Sequence, residues 1–344
     1  MPKAFFLKQF GNPENAFSLQ EIVLPELKSG QALINVEAFG LNFADVMARR
    51  GKYRDAPPLP FVPGYDVVGT VVSVKDEDNA MLLGKRVAGF CRFGGYAQQV
   101  ITQVDALIEI KEMNAEDALS LCTQGVTASY MAALIDASNQ GRFALVHAAA
   151  GGVGSLLIQL LKLKGIKIIA KVGSEGKSKA IELLNPEQII VSNSMEYSVL
   201  VSEIIKNEGL VASFNALGGA SIKNDLKLLG AGGNLVLFGG ASLLKGKYGF
   251  LSLLNFAWST GFYSPIPFMM QSKSITGVNM LKIADERPEI LKHHLKICFD
   301  LYNQDKLKPI RAKCFSEQEI SSAHAFLESG KSTGKVVVYW GDLG

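Results

Sequence analysis

The stretch Phe143-Ala144-Leu145-Val146-His147-Ala148-Ala149-Ala150-Gly151-Gly152-Val153-Gly154-Ser155 decides the fold. A short apolar run ends in alanines and glycines, and an apolar helical pattern over residues 155–164 follows, stopped by Gly165. Ala149, Ala150, Gly151, Gly152, Val153 and Gly154 form an A-x-G-x-x-G turn between strand and helix. Such a turn lets a pyrophosphate approach the backbone, while the free N–H groups and dipole of the helix stabilise its charge. His147, inside the buried run, reads as a core histidine rather than a proton donor.

The same alternation continues outward. Residues 166–172 predict a strand, 177–184 a helix stopped by Asn185-Pro186, and 188–191 another strand, with 210–216, 222–229 and 234–238 extending the series. Strand and helix at this spacing specify an α/β, doubly wound parallel sheet. Before residue 110 the chain is different, with short runs at 32–38, 67–74 and 86–90 that read as strands of a β-rich domain. Asn114 with Asp117 starts a helix that runs to Gly125, and a second helix covers 128–135. The C-terminal part predicts a helix over 288–303, an amphipathic piece over 320–327 and a last strand over 335–339.

The acid that accepts from an NAD ribose is expected about twenty residues beyond the glycine turn. Lys171-Val172-Gly173-Ser174-Glu175-Gly176-Lys177 stands there instead. Gly173 leaves room, Ser174 can donate, and Lys171 and Lys177 offer charge to a 2′-phosphate, so NADPH is the expected cofactor. Glu175, if turned inward, would favour NADH.

With 344 residues, 48% hydrophobic and 19% charged, the chain has material for two cores and is not a disordered polyelectrolyte. Its 35 basic and 32 acidic residues are interspersed, and no basic stripe with aromatics suggests nucleic acid. Four cysteines form no CxxC pair and no zinc spacing, which fits a reducing cytoplasm, and the N-terminal apolar run is too short for a signal segment. Residues 248–272 carry no formal charge. Asn255, Ser259, Thr260, Ser264, Gln271, Pro265 and Pro267 interrupt them, so the segment reads as an apolar lid or interface hairpin, not a transmembrane span. Peripheral membrane contact stays open.

Three further stretches carry a resemblance. They are Val36-Glu37-Ala38-Phe39-Gly40-Leu41-Asn42-Phe43-Ala44-Asp45 through Arg50-Gly51-Lys52-Tyr53, then Pro58 to Tyr65-Asp66, and Gly330-Lys331-Ser332-Thr333-Gly334-Lys335-Val336-Val337. With the glycine turn, they make the chain resemble, over nearly its whole length, the zinc-independent medium-chain dehydrogenase/reductases, the quinone oxidoreductases and their relatives. The apolar insert followed by Lys273 to Asn279 is similar to the VAT-1-like subgroup.

The resemblance implies a GroES-like β domain over residues 1–124, a Rossmann NADP-binding domain over 125–272 with its apolar insert at 243–272, and a return to the first domain over 273–344. It places Asn42, Tyr53 and Tyr65 in the substrate cleft as catalytic groups. Thr127 is implied to face the nicotinamide, Phe238, Gly239 and Gly240 to line the coenzyme edge, and Asn279 and Lys335 to lie near the cofactor. Where zinc-dependent members carry their ligands, this chain has Asn42, Tyr65-Asp66 and about Ser120, and no metal is expected. The implied activity is NADPH-dependent, zinc-independent hydride transfer to a small hydrophobic quinone or α,β-unsaturated carbonyl, in a cytoplasmic homodimer. The alternative is an NADP-binding, lipid- or membrane-associated protein with little turnover.

Overall fold

The computed structural model describes residues 1–241 and 258–341, so the first part of the uncharged stretch lies outside the described residues. The chain divides into two units, Met1–Thr127 with Met280–Gly344, and Ala128–Asn279.

The second unit is built on a six-stranded, wholly parallel sheet. Its order is Gln188–Val191, Lys167–Val172, Phe143–Val146, Leu210–Asn215, Leu229–Leu237, Ser274–Gly277. This is the Rossmann order, with the reversal between Phe143–Val146 and Leu210–Asn215. Both faces are covered, so the central strands lack polar alternation and all six residues of Leu210–Asn215 are buried. The helix Gly152–Leu163 packs Leu156, Leu157 and Leu161 inward. Leu145, Ile169, Leu210 and Leu235 form one core with Tyr197 and Val201 of the helix Tyr197–Ile205, which the sequence pattern did not signal.

Two boundaries differ from expectation for physical reasons. The strand expected at 234–238 begins at Leu229, because Gly230 and Gly233 let its backbone lie against neighbouring backbone: a Cβ on Gly233 would meet the Leu210 carbonyl at 2.8 Å. Glycines carry no side-chain period, so this part of the strand is silent in sequence. Ser274–Gly277 pairs in parallel with Asn234 to Leu237 and completes the Rossmann sheet as its edge, rather than opening the C-terminal part.

In the first unit, Lys313–Ser316, Val336–Tyr339, Gln31–Leu41, Asp66–Val74, Arg86–Phe90 and Leu107–Glu109 follow one another in a sheet, with Gln99–Gln103 also paired to Gln31–Leu41. Phe39, Tyr96, Val67 and Val338 are central to its core. The helix expected up to Gly125 stops being α-helical at Leu119. A π-helical turn, Ser120–Gly125, follows and carries Thr123 to Asp66 before the helix Val126–Ala133. Among the described residues no helix is long and apolar enough to cross a membrane.

An ion cluster closes this unit. Arg49, with no exposed surface, donates to the Gly11 carbonyl and the Glu328 carboxylate, and Arg50 Nε reaches the other Glu328 oxygen at 2.6 Å. Burial lowers the Arg49 guanidinium, and its bonds to Glu328 oppose that shift. Replacing Glu328 by Gln leaves a buried cation without its anion, which should cost about 3 kcal/mol. Urea unfolding followed by tryptophan fluorescence should show this loss, with much of it recovered in an Arg49→Leu/Glu328→Leu double variant.

Candidate functional site

In the Rossmann unit the candidate residues gather at the carboxyl ends of the strands. Gly151, in extended conformation, precedes the helix Gly152–Leu163 and no side chain caps that helix. Its first-turn N–H groups are therefore available to an anion. Ala149 and Ala150 are buried beneath the turn. Gly154 is required by packing: an added Cβ would lie 2.6 Å from the Ala148 oxygen. Ala148 itself has φ of 49°, a left-handed conformation that costs a non-glycine residue roughly 1 kcal/mol. Phe238 donates its N–H to the Asn215 carbonyl at 3.2 Å, and Gly239 lies against the Ala216 carbonyl, where a Cβ would meet it at 2.8 Å. Gly240 follows them, and Asn279 lies just past the edge strand.

After the second strand, Ser174 precedes the helix Glu175–Ile181 and its hydroxyl makes no capping bond. Lys177, half-buried one turn on, has no ion-pair or hydrogen-bond partner for its ammonium among the described residues, and desolvation alone pushes its pKa down. Glu175 is exposed. Lys171 is a different case from the sequence expectation. Its ammonium donates to the Ser192 carbonyl at 2.9 Å and sits 5.0 Å from the centre of the Tyr197 ring, so its charge is already engaged. Gly173 accepts a bond from Asn193 Nδ2 at 2.8 Å, and a Cβ there would come within 2.7 Å of Asn193 Oδ1.

In the first unit Asn42, Tyr53, Tyr65 and Lys335 have unequal freedom. Asn42 donates from Nδ2 to Asp66 at 3.0 Å, and its Oδ1 accepts from Lys335 Nζ at 2.9 Å. Lys335 also pairs with Asp66, and Thr123 donates to the same carboxylate. Asn42, Asp66 and Lys335 are buried and Thr123 partly so, and Gly40 makes room for the pair, since a Cβ there would overlap both Lys335 and Asp66. Lys335, expected near the cofactor, thus spends its charge on Asp66, and the Asn42 amide holds that pair together. Thr127 donates its hydroxyl to the Thr123 carbonyl at 2.6 Å. The Tyr65 hydroxyl remains: it is buried, and among the described residues the only side chain that interacts with it is Tyr53, whose ring lies edge-on at 6.3 Å. Burial pushes Tyr53 up to about 12 and Tyr65 higher still, so both phenols stay protonated and can donate.

Residues 28–133 match the alcohol dehydrogenase GroES-like domain, and residues 152–294 match the zinc-binding dehydrogenase domain. The chain belongs to the medium-chain dehydrogenase/reductase family. It is 30% identical to the human synaptic vesicle membrane protein VAT-1 homolog, over 90% of this chain and 79% of that protein. It is 31% identical to a mouse quinone oxidoreductase, over 69% of this chain and 73% of that one. A mycobacterial structure in complex with NADPH superimposes with a TM-score of 0.85 at 25% identity, covering 98% of this chain and 100% of that one. Membership of this family carries an oxidoreductase function with an NAD(P) cofactor.

Seen against the family's zinc positions, Asn42 and Asp66 bind an ammonium group, and Ser120 donates to the Glu116 carbonyl at 2.7 Å. Among the described residues no group of three or more His, Cys, Asp or Glu is placed to hold a metal ion. Sequence reasoning missed Thr123, which reaches Asp66 only through the π-turn. It also missed Asp45, which accepts from the Asn42 N–H at 2.8 Å and the Gly64 N–H at 3.2 Å.

Burial raises the Asp45 carboxyl to about 7, against these N–H groups that favour its charge. A carboxyl raised in the fold binds its proton more tightly there than in the unfolded chain. It stabilises the fold fully below its ordinary value of 3.8, and that contribution is lost as pH rises through about 7. Asp45→Asn has no such proton to lose, so between about pH 4 and 8 its unfolding midpoint should fall less than that of the native protein. Urea titrations across that range check the difference.

Proposed function

We propose that this protein is an NADPH-dependent, zinc-independent reductase of quinones or α,β-unsaturated carbonyls. The observation that carries the reading is Lys177, a half-buried ammonium without an anion among the described residues, one turn beyond the Ser174 hydroxyl, which makes no capping bond. A lysine taken out of water without a counter-ion suits an anionic ligand, and a 2′-phosphate offers charge and acceptor oxygens to both groups. The residues present fit the rest of the dinucleotide: the first-turn N–H groups of Gly152–Leu163 for the pyrophosphate, and the close backbone at Gly239 for the coenzyme edge.

Bound NADPH would supply the hydride, two electrons and one hydrogen, to a carbon or oxygen of an already electrophilic acceptor. Negative charge then grows on the substrate oxygen. In the first unit the buried Tyr65 phenol, with Tyr53 beside it, is the proposed donor to such an oxygen, and the proton that completes the reduction would come from a phenol or from water. Asn42 acts on this site by holding Asp66 and Lys335 in place. A divalent cation at Asn42 and Asp66 would meet the Lys335 ammonium, so charge stabilisation by zinc is not the mechanism proposed.

The decisive test is NADPH and NADH consumption by chelator-treated protein across a panel of quinones and enones. Turnover with NADPH is expected. Binding of NADPH without turnover of any acceptor would favour the lipid-associated alternative, which draws on the exposed apolar residues described next. Lys177→Ala should weaken NADPH binding about ten- to a hundredfold and leave NADH nearly unchanged. Equal losses for both cofactors in calorimetry would place Glu175, not Lys177, at the ribose.

A homodimer is part of the same proposal. Among the described residues the edge strand Ser274–Gly277 has one unpaired side, and Met269 and Met270 on the helix Pro265–Gln271 are each 77% exposed. An unpaired edge beside exposed apolar side chains is a surface for a second copy. Light scattering should give a dimer at micromolar concentration, and Met270→Glu with Ile275→Lys should give a monomer.

A further inference from the structure

We infer that Asp225 and His147 are positioning residues for the dinucleotide turn: their buried contact holds the neighbouring Ala148 left-handed, and Ala148 sets how the turn meets its helix. The inference rests on the reading that this turn takes NADPH.

Asp225, on the helix Ser221–Leu228, has no exposed surface. It accepts from Tyr197 Oη at 2.6 Å, Asn215 Nδ2 at 2.6 Å and Ser213 Oγ at 2.9 Å, and faces His147 Nε2 at 2.9 Å. Burial opposes the charge of this carboxyl, yet the interaction with His147 and the bonds from Tyr197 and Asn215 hold it below the usual range. A carboxylate only accepts, so the imidazole must present Nε2–H to it. His147 Nδ1 is buried with no partner among the described residues. The ring is therefore oriented by one polar bond and by its edge contact with Tyr197 at 5.1 Å.

The next residue is the strained one. Ala148 has φ of 49°, and its carbonyl both accepts from the Gly151 N–H at 2.9 Å and abuts Gly154. A left-handed alanine persists only where its surroundings impose it, and such positions cluster where ligands are clamped. Main-chain bonds hold it on either side, His147 N–H to the Phe214 carbonyl at 3.0 Å and Ala149 N–H to the Lys171 carbonyl at 3.1 Å. Those bonds fix where the strand ends. The His147 side chain, tied to Asp225, fixes the direction in which the chain leaves it.

The test uses the whole cofactor-free protein. Hydrogen exchange is read at the amides of Ala149, Gly151 and Ser155, all hydrogen-bonded, and NADPH affinity is measured by calorimetry. Asp225→Asn should speed exchange at these amides and raise the NADPH Kd, each by about tenfold. Adding Ala148→Gly, which adopts the left-handed angle without penalty, should restore most of both. If Asp225→Asn does not fold, His147→Gln and His147→Phe take its place: Gln keeps a donor toward Asp225 and should retain the native values, and Phe should lose them. Unchanged exchange and affinity in folded variants would overturn the inference. So would exchange that rises equally across the whole unit, or a failure of glycine to rescue. If exchange responds as described but the native protein does not bind NADPH, the cofactor reading fails and the anchor stands.

Discussion

The Ala148 carbonyl and Gly154 meet with no space for a Cβ between them, and the Rossmann unit depends on that contact. Any side chain at 154 would come within 2.6 Å of the oxygen and push the helix Gly152–Leu163 away from its strand. The close approach brings the uncapped helix start to the carboxyl edge of the sheet, beside the crevice where the strand order reverses. Free N–H groups, small residues and a reversal point then coincide. That coincidence, more than the glycines themselves, suits the turn to a phosphate.

Two lysines show how environment separates structure from binding. Lys335 is wholly buried, yet Asp66 and Asn42 satisfy it, and Thr123 helps to satisfy Asp66. A buried ion pair is tolerated when hydrogen bonds complete it, and this one has no charge left for a ligand. Lys177 is less buried and has no such partners among the described residues, so desolvation alone acts on it. The half-buried lysine is the one suited to bind. The same logic separates Tyr65, whose hydroxyl meets only another phenol, that of Tyr53, among the described residues, from Tyr197, whose hydroxyl is bound to the Asp225 carboxylate.

What could be read from the sequence was local. The turn 149–154 is contiguous, its flanking strand and helix have clear periods, and Ser174 and Lys177 lie one helical turn apart, so they were legible without a structure. The exact strand Gln188–Val191 and helix Pro288–Asn303 were legible for the same reason. Lys171 looked like a phosphate ligand because its partner, the Ser192 carbonyl, is 21 residues away and a backbone atom has no letter. Lys335 and Asn42 lie 293 residues apart, and His147 and Asp225 lie 78 apart. No spacing rule links such pairs. The glycines at the start of Leu229–Leu237 hid a strand because a residue without a side chain has no face to display.

The proposed function requires the space after the second strand to fit a 2′-phosphate. Calorimetric titration of the cofactor-free protein with adenosine 2′,5′-bisphosphate and with adenosine 5′-monophosphate isolates that space, since the two differ only in the 2′-phosphate. The bisphosphate should bind at least about tenfold more tightly, with a preference that shrinks as salt is raised. Equal affinity, or tighter binding of the monophosphate, would contradict the account.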